Sequence, residues 1–521
     1  MFDILKKPDD LRIICEGENT DAQVRTEIIG RKLFVYIKAD KTLPKYICMR
    51  WNHRIDKPVR IMGDKWERSY GDMEWHSLNG EIFMPWYFMI NDGINTVGCG
   101  VMVQPNSFVS FQCDASGITA WFDVRCGGLG VKLEGRELLA GIIVCENYEG
   151  ISAFQAAGKF CKIMSPSPLL PKEPVYGSNN WYYAYGKFTR EDIIKDIRLI
   201  AKLTKECENK PYMVIDDGWE MGKTGGPWTP KEEFTNMKSL TDEFKNNGVK
   251  PGIWFRPLHE AELEEAHPDW RMHAGTDARP LTYLDPSHPE VKKYLRDLIN
   301  QIRNWGFKLI KHDFSTYDMF GYFGDCLNGK ISPSDNLYFY DRTKTSAEIV
   351  LDFYRLIREA AGDMIIIGCN TVSHLCAGLV ELNRIGDDTS GREWSRTRAY
   401  GVNTLAFRLC QNNAFYSVDA DCVGVLDDNI PWKLNKQWLD LLANSGTPLF
   451  VSLKPDSIND EIKRDIAEAM KKGAIQKSVA EPLDWLYNNQ PQEWLINGER
   501  KSYDFVMNSY PCLLKAKIQP Y

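Results

Sequence analysis

The sequence predicts an α/β and β multidomain chain: an N-terminal β-sandwich, a central (β/α)8 TIM barrel and a small C-terminal antiparallel β-domain. Three observations predict it. Short apolar runs recur eight times between residues 175 and 455, with amphipathic helical stretches between most of them. Before that stretch the runs alternate apolar and polar residues and are broken by Gly, Asn and Asp at short intervals, as in an antiparallel sandwich. After it, a short segment regains the alternating pattern.

Taken in order, residues 1–165 carry KLFVYIKA, EIFMPWYFMI, TVGCGVMVQ, FVSFQC and TAWFDVRC, each read as a strand. ISAFQAAGKFCKIM (151–164) has helical spacing, and the prolines of 166–174 read as a linker. The barrel is assigned to 175–455. Its strands are read from SNNWYY (178–183), YMVIDDGW (212–219), PGIWFRP (251–257), FKLIKHDF (307–314), MIIIGCN (364–370), LNRIGDD (382–388), AFYSVDAD (414–421) and TPLFVSL (447–453). REDIIKDIRLIAKLTKE, HPEVKKYLRDLINQIRNW and TSAEIVLDFYRLIREAAG supply helices. Only NTVSHLCAGLVE separates the fifth and sixth strands, which leaves room for one short helix. Residues 456–521 are read as a helix followed by the small β-domain, with PLDWLYNN, PQEWLINGE and KSYDFVM as its β segments.

The bulk numbers exclude several classes of function. With 521 residues, 43% of them hydrophobic and 26% charged, the chain has the balance of a soluble globular protein with more than one domain. A net charge of −7 and the lack of a basic stripe argue against nucleic acid or an anionic membrane as partner. MFDILKKPDDLRIICEGENT has no continuous apolar core of a secretory leader, no run is long enough to span a bilayer, and a cytoplasmic location is expected. The fourteen cysteines are scattered without a CxxC pair, as in a reduced chain that uses cysteine as a small buried hydrophobe. No HxxxH or HExxH spacing supports a metal, and no glycine-rich phosphate loop supports a nucleotide, so no cofactor is expected. Homo-oligomerisation is left open.

Chemistry is expected where apolar strands end in polar residues, because a (β/α)8 barrel projects its catalytic groups from the C-terminal strand ends. Five runs end this way: Asp216-Asp217, Lys311-His312-Asp313, Cys369-Asn370, Asp387-Asp388 and Asp419. Any one aspartate there could simply cap the following helix; five converging on one rim are harder to explain so. Two carboxyl groups on neighbouring strand ends suit glycosidic cleavage, one ionised and one protonated. Lys311 lies two residues before Asp313, on the same face of a strand, where its charge favours an ionised carboxylate. The adjacent Asp387-Asp388 pair is expected to raise one of its own pKa values by mutual repulsion.

VIDDGW, GIWFRP, LIKHDFS, IIGCN, NRIGDDTSGREW and VDADC occur in the order found in family 36 of the glycoside hydrolases, and over the whole chain the sequence resembles that α-galactosidase family. A KxD strand end followed about seventy residues later by RIGxDT carries most of the likeness. The resemblance implies Asp313 as nucleophile and Asp388 as general acid/base. It implies Asp216 and Asp217 as the pair that grips O4 and O6 of galactose, with Lys311, Arg384 and Cys369 on ring hydroxyls. Trp254 is implied as an aromatic wall, against a barrel-core alternative, and Cys369 against a structural thiol. Asp419 and Asp421 are read as supports for neighbouring loops. The aromatic turn GDKWERSYGDMEW suggests that Trp66 or Tyr70 reaches over the pocket, against a sandwich-core reading. Arg256 and the SNNW start of the first barrel strand depart from the family pattern; Arg256 either pairs with an acid or reads an unusual aglycone. The implied activity is retaining hydrolysis of terminal α-D-galactosides in an oligosaccharide or glycoside substrate. Transfer to a sugar acceptor as in raffinose synthases, or action on α-N-acetylgalactosaminide, β-L-arabinopyranoside or α-glucoside, are the alternatives.

Overall fold

The computed structural model describes residues 4–273, 283–324, 337–427 and 430–505. The N-terminal region is two facing antiparallel sheets of five and six strands. Alternation makes them: along Lys32–Lys38, Leu33, Val35 and Ile37 are buried while the residues between them point outward. The long strand Glu137–Tyr148 pairs with Lys32–Lys38 on one side and Thr96–Val101 on the other. Cys99 and Cys145 sit opposite each other in that pairing and are joined as a disulfide, a correction to the expectation that all cysteines are thiols. Helix Ala153–Met164, capped by the Ser152 hydroxyl, lays Phe160 and Met164 over this sheet where Gly98 and Gly100 leave room.

The barrel strands are β1 (Tyr176–Asn179), β2 (Tyr212–Ile215), β3 (Lys250–Phe255), β4 (Leu309–His312), β5 (Ile365–Gly368), β6 (Leu382–Arg384), β7 (Ser417–Asp419), β8 (Cys422–Val425) and β9 (Leu449–Leu453). All pair in parallel, in the order β7-β6-β5-β4-β3-β2-β1-β9-β8. The two ends of that order, β7 and β8, are consecutive in the chain and separated by Ala420 and Asp421 alone. Asp421 has a left-handed backbone, φ +69°. The seventh strand is therefore broken in two, β7 bonding to β6 and β8 to β9, and this closes the ring. Eight runs were expected and all eight form strands; the break adds the ninth. The first run starts earlier than read: β1 stops at Asn179, whose side-chain oxygen accepts from Trp181 N at 2.7 Å, and Trp181–Ala184 is a helical turn.

The intervening helices follow their sequence signals. Thr189 with Asp192 and Thr345 with Glu348 form capping boxes for Arg190–Leu203 and Ser346–Ala361. Pro289–Trp305 starts on Pro289 and stops at left-handed Gly306. Between β5 and β6 there is one short helix, Ser373–Cys376. Beyond the barrel, helix Asp460–Gly473 precedes a three-stranded antiparallel sheet of Ala480–Pro482, Glu493–Ile496 and Glu499–Ser502. Of KSYDFVM, the last two residues lie outside the described residues. Among the described residues no helix is long and apolar enough to cross a membrane.

Candidate active site

The C-terminal strand ends bring the expected residues together. Asp216 and Asp217 follow β2. Asp216 Oδ2 accepts from Lys311 Nζ of β4 at 2.8 Å and from Asn179 Nδ2 of β1 at 2.6 Å, and Asn180 Oδ1 accepts from Asp216 N. Asp217 is 8% exposed, and its Oδ1 has no hydrogen-bond partner within the described chain. Burial, a hydrogen bond to Glu220 and the charges of Glu220 and Asp216 push its carboxyl up to about 9, so it is held protonated at neutral pH.

Asp313 closes β4. Trp254 of β3 donates Nε1–H to Asp313 Oδ2 at 3.1 Å, and Phe314 N donates to Oδ1 at 2.8 Å. Burial opposes ionisation here, but the charges of Lys311 and Arg68 and the Trp254 bond outweigh it and hold the carboxyl below its ordinary range. Asp313 is thus an ionised, immobilised carboxylate with a tryptophan at its side. The Trp254 indole is 2% exposed and also packs at 5.7 Å from Trp228 of the loop after β2.

Arg384 ends β6 and bonds four groups. It reaches Asp388 Oδ1 at 3.0 Å, Asp421 Oδ2 at 2.7 Å, the Tyr182 hydroxyl at 3.2 Å and the Cys369 sulfur at 3.8 Å. Asp421 also accepts from the Tyr182 hydroxyl and from Thr389 N at 2.7 Å, which makes it a brace for Arg384 and the loop after it. The Asp388 side chain is 35% exposed. The expected upward shift by repulsion from Asp387 is not found at Asp388. Burial pushes up, but Arg384, Arg68, Lys311 and Arg396 together hold its carboxyl low. Asp387 turns instead to Arg68 at 3.0 Å and Arg396 at 3.3 Å.

The loop 64–75 of the N-terminal region lies against these strand ends. Ser69 N donates to Ile385 O at 2.8 Å and Asp387 N to Ser69 O at 3.2 Å, a parallel bridge beside β6. Trp66 is 1% exposed and packs on Phe108 and His374, so it is core and does not reach over the site. Tyr70 is half-buried, donating its hydroxyl to Glu67 Oε1 at 2.8 Å and accepting from Arg68 Nε at 3.2 Å. Arg68 and Glu67 escaped the sequence reading. Their signal was there, two charges between the aromatics of WERSY, but nothing local says which strand ends such a loop meets. Cys369 is buried between the Arg68 and Arg384 guanidiniums, and burial pushes its thiol up. Arg256 pairs with Asp318, at 2.5–3.1 Å.

Residues 170–320 match the family model named Melibiase. This stretch resembles that family. It holds β1 to β4 with Asp216, Asp217, Trp254 and Asp313. A curated relative, α-galactosidase C of Emericella nidulans, is 31% identical over 151 residues, 24% of this chain and 20% of that protein. The chain thus matches about a fifth of the length of that relative. The whole fold has counterparts among solved structures. An α-galactosidase of Thermus thermophilus, in complex with p-nitrophenyl α-D-galactopyranoside, superposes with a TM-score of 0.62 at 14% identity, covering 95% of this chain and 99% of that one. A family 36 α-galactosidase of Geobacillus stearothermophilus, in complex with raffinose, gives 0.63 at 13% identity over 91% and 71%. The family likeness carried by the motifs is met by the family model, the curated relative and the solved structures, and the chain has the fold of the solved family 36 α-galactosidases.

Proposed function

We propose that the chain is a retaining exo-glycosidase that hydrolyses terminal α-D-galactosides, with Asp313 as nucleophile and Asp388 as general acid/base. The observation that carries this is that both carboxylates belong to one polar cluster: Lys311 and Arg68 act electrostatically on each of them. Both carboxyls are held low in the free chain; Asp313 is the one fixed by two hydrogen bonds, and Asp388 is the one with access to solvent.

In the first step a carboxylate oxygen of Asp313 bonds to the anomeric carbon as the glycosidic C–O bond breaks, and the Asp388 proton passes to the leaving oxygen. In the second, Asp388 takes a proton from water, the water oxygen bonds to the anomeric carbon, and Asp313 is released. A sugar lying on Asp388 removes its remaining exposure, which weakens the solvation of its charge and favours the protonated form the first step needs. Asp217, protonated, offers a donor to a sugar hydroxyl, and Asp216, bonded to Lys311, offers an acceptor. A retaining pair requires carboxyl groups roughly 5–5.5 Å apart across the bound sugar.

The test is hydrolysis of p-nitrophenyl α-D-galactopyranoside by the full chain and by Asp313→Ala. The substitution should lower kcat by about 10³-fold or more, and azide should restore turnover with release of β-galactosyl azide. A near-wild-type rate in Asp313→Ala, or no α-galactoside hydrolysis by the full chain, would refute the reading.

A further inference from the structure

We propose that Arg68 is a positioning residue for the acid/base, so that the N-terminal region supplies part of the working site of the barrel. The inference rests on the proposed roles of Asp313 and Asp388 and adds a group that neither the motif likeness nor the strand ends point to.

The guanidinium of Arg68 lies among four polar partners from three places in the chain. It meets Asp387 Oδ1 at 3.0 Å, Asp388 Oδ1 at 3.9 Å, the Cys369 sulfur at 3.9 Å and, through Nε, the Tyr70 hydroxyl at 3.2 Å. Arg68 is 9% exposed, so these charges meet with little water between them and their effect is weakly screened. Asp388 also feels Arg384 from the end of β6, Lys311 from β4, Arg396 from the helical turn Trp394–Arg396, and Asp421, Tyr182 and Tyr185 beyond them. Arg384 is shared with Asp421, Lys311 with Asp216, and Arg396 with Asp387. Arg68 differs in acting on both proposed carboxylates from outside the barrel. By holding Asp387 it keeps that second carboxylate turned from Asp388.

The loop backbone is fixed without the guanidinium. Trp66 O accepts from Ser373 N at 2.8 Å, Glu67 O from Arg408 at 2.6 Å, and Ser69 pairs with Gly386. Gly71, at φ +79°, lets the chain pass the helix at Ala399, where an added Cβ would stand 2.6 Å from that residue's own. Replacing the Arg68 side chain therefore leaves the loop its anchors.

The experiment measures kcat/KM against pH for wild type, Arg68→Gln and Arg68→Lys with p-nitrophenyl α-D-galactopyranoside. Losing the cation raises both carboxyl pKa values, so in Arg68→Gln both limbs of the profile should move up by about 0.5–1 pH unit, while Arg68→Lys keeps the wild-type limbs. A purely structural role would lower kcat or the melting temperature and leave the limbs in place; that result overturns the proposal. Should Arg68→Gln not fold, Arg68→His carries the test: its charge is lost near pH 6.5, and the profile must gain an inflection there. An active wild type with unmoved limbs defeats this inference alone; an inactive wild type defeats the functional reading beneath it.

Discussion

Asp217 and Glu220 share a buried corner at the end of β2, and each has an oxygen without a hydrogen-bond partner within the described chain. A carboxyl whose pKa stands at about 9 when folded and near 4 when unfolded is protonated in the folded state over that whole interval. Its contribution to stability is complete below about pH 4 and is lost progressively as pH rises towards 9. Glu220→Gln removes the like charge while keeping an acceptor for Gly218 N, now at 3.2 Å from Glu220 Oε2. The melting temperature should then fall less between pH 5 and 8 than in wild type. An equal fall in both proteins would mean that Glu220 does not set this proton. Asp217 itself was legible in the sequence, because an aspartate ending an apolar run announces its place on the rim. Glu220 was not: a charge three residues on, inside a loop, reads as solvated, yet the fold buries it completely.

At the end of β3, Arg256 answers a question that the sequence left open. Its guanidinium is clamped on Asp318, whose side chain is fully buried, and lies 4.4 Å from the Phe314 ring centroid. Phe314 follows Asp313, has a left-handed backbone at φ +62° and donates its N–H to the carboxylate. The pair thus braces the short helix Ser315–Phe320 and, through it, the residue that holds Asp313. Asp318→Asn leaves a buried cation short of its partner, which should cost about 3–5 kcal/mol in urea unfolding. Arg256→Met with Asp318→Leu should recover much of that loss, since both charges leave together. If the double variant is no more stable than Asp318→Asn, the pairing is not what the loop depends on. At this scale the strands were legible because each needs only its own apolar run, whereas the break at Ala420-Asp421 was not. Period-two alternation continues through VDADCVGV, and the kink depends on Asp421 reaching to Arg384, Tyr182 and Thr389, which lie far away in the chain.

Across the whole molecule, contacts far apart in sequence join the regions. Trp485, from the C-terminal segment, packs edge-on to Trp75 at 5.3 Å and also touches Phe154 and Phe407. Arg408, in the barrel, is buried against Asp64 at 2.7 Å and donates to Ile385 O and Glu67 O. One guanidinium therefore ties the N-terminal loop to the strand that carries Arg384. The consequence can be measured with a double-mutant cycle. Arg408→Met loosens the backbone that presents Arg68, and Arg68→Gln removes what is presented. If the N-terminal region acts on the site through this loop, the second substitution finds little left to remove. The loss of kcat/KM in the double variant should fall short of the product of the two single losses by about 3-fold or more, a coupling of order 0.5–1 kcal/mol. Full additivity would mean that Arg408 supports only the fold, and that Arg68 keeps its place without it.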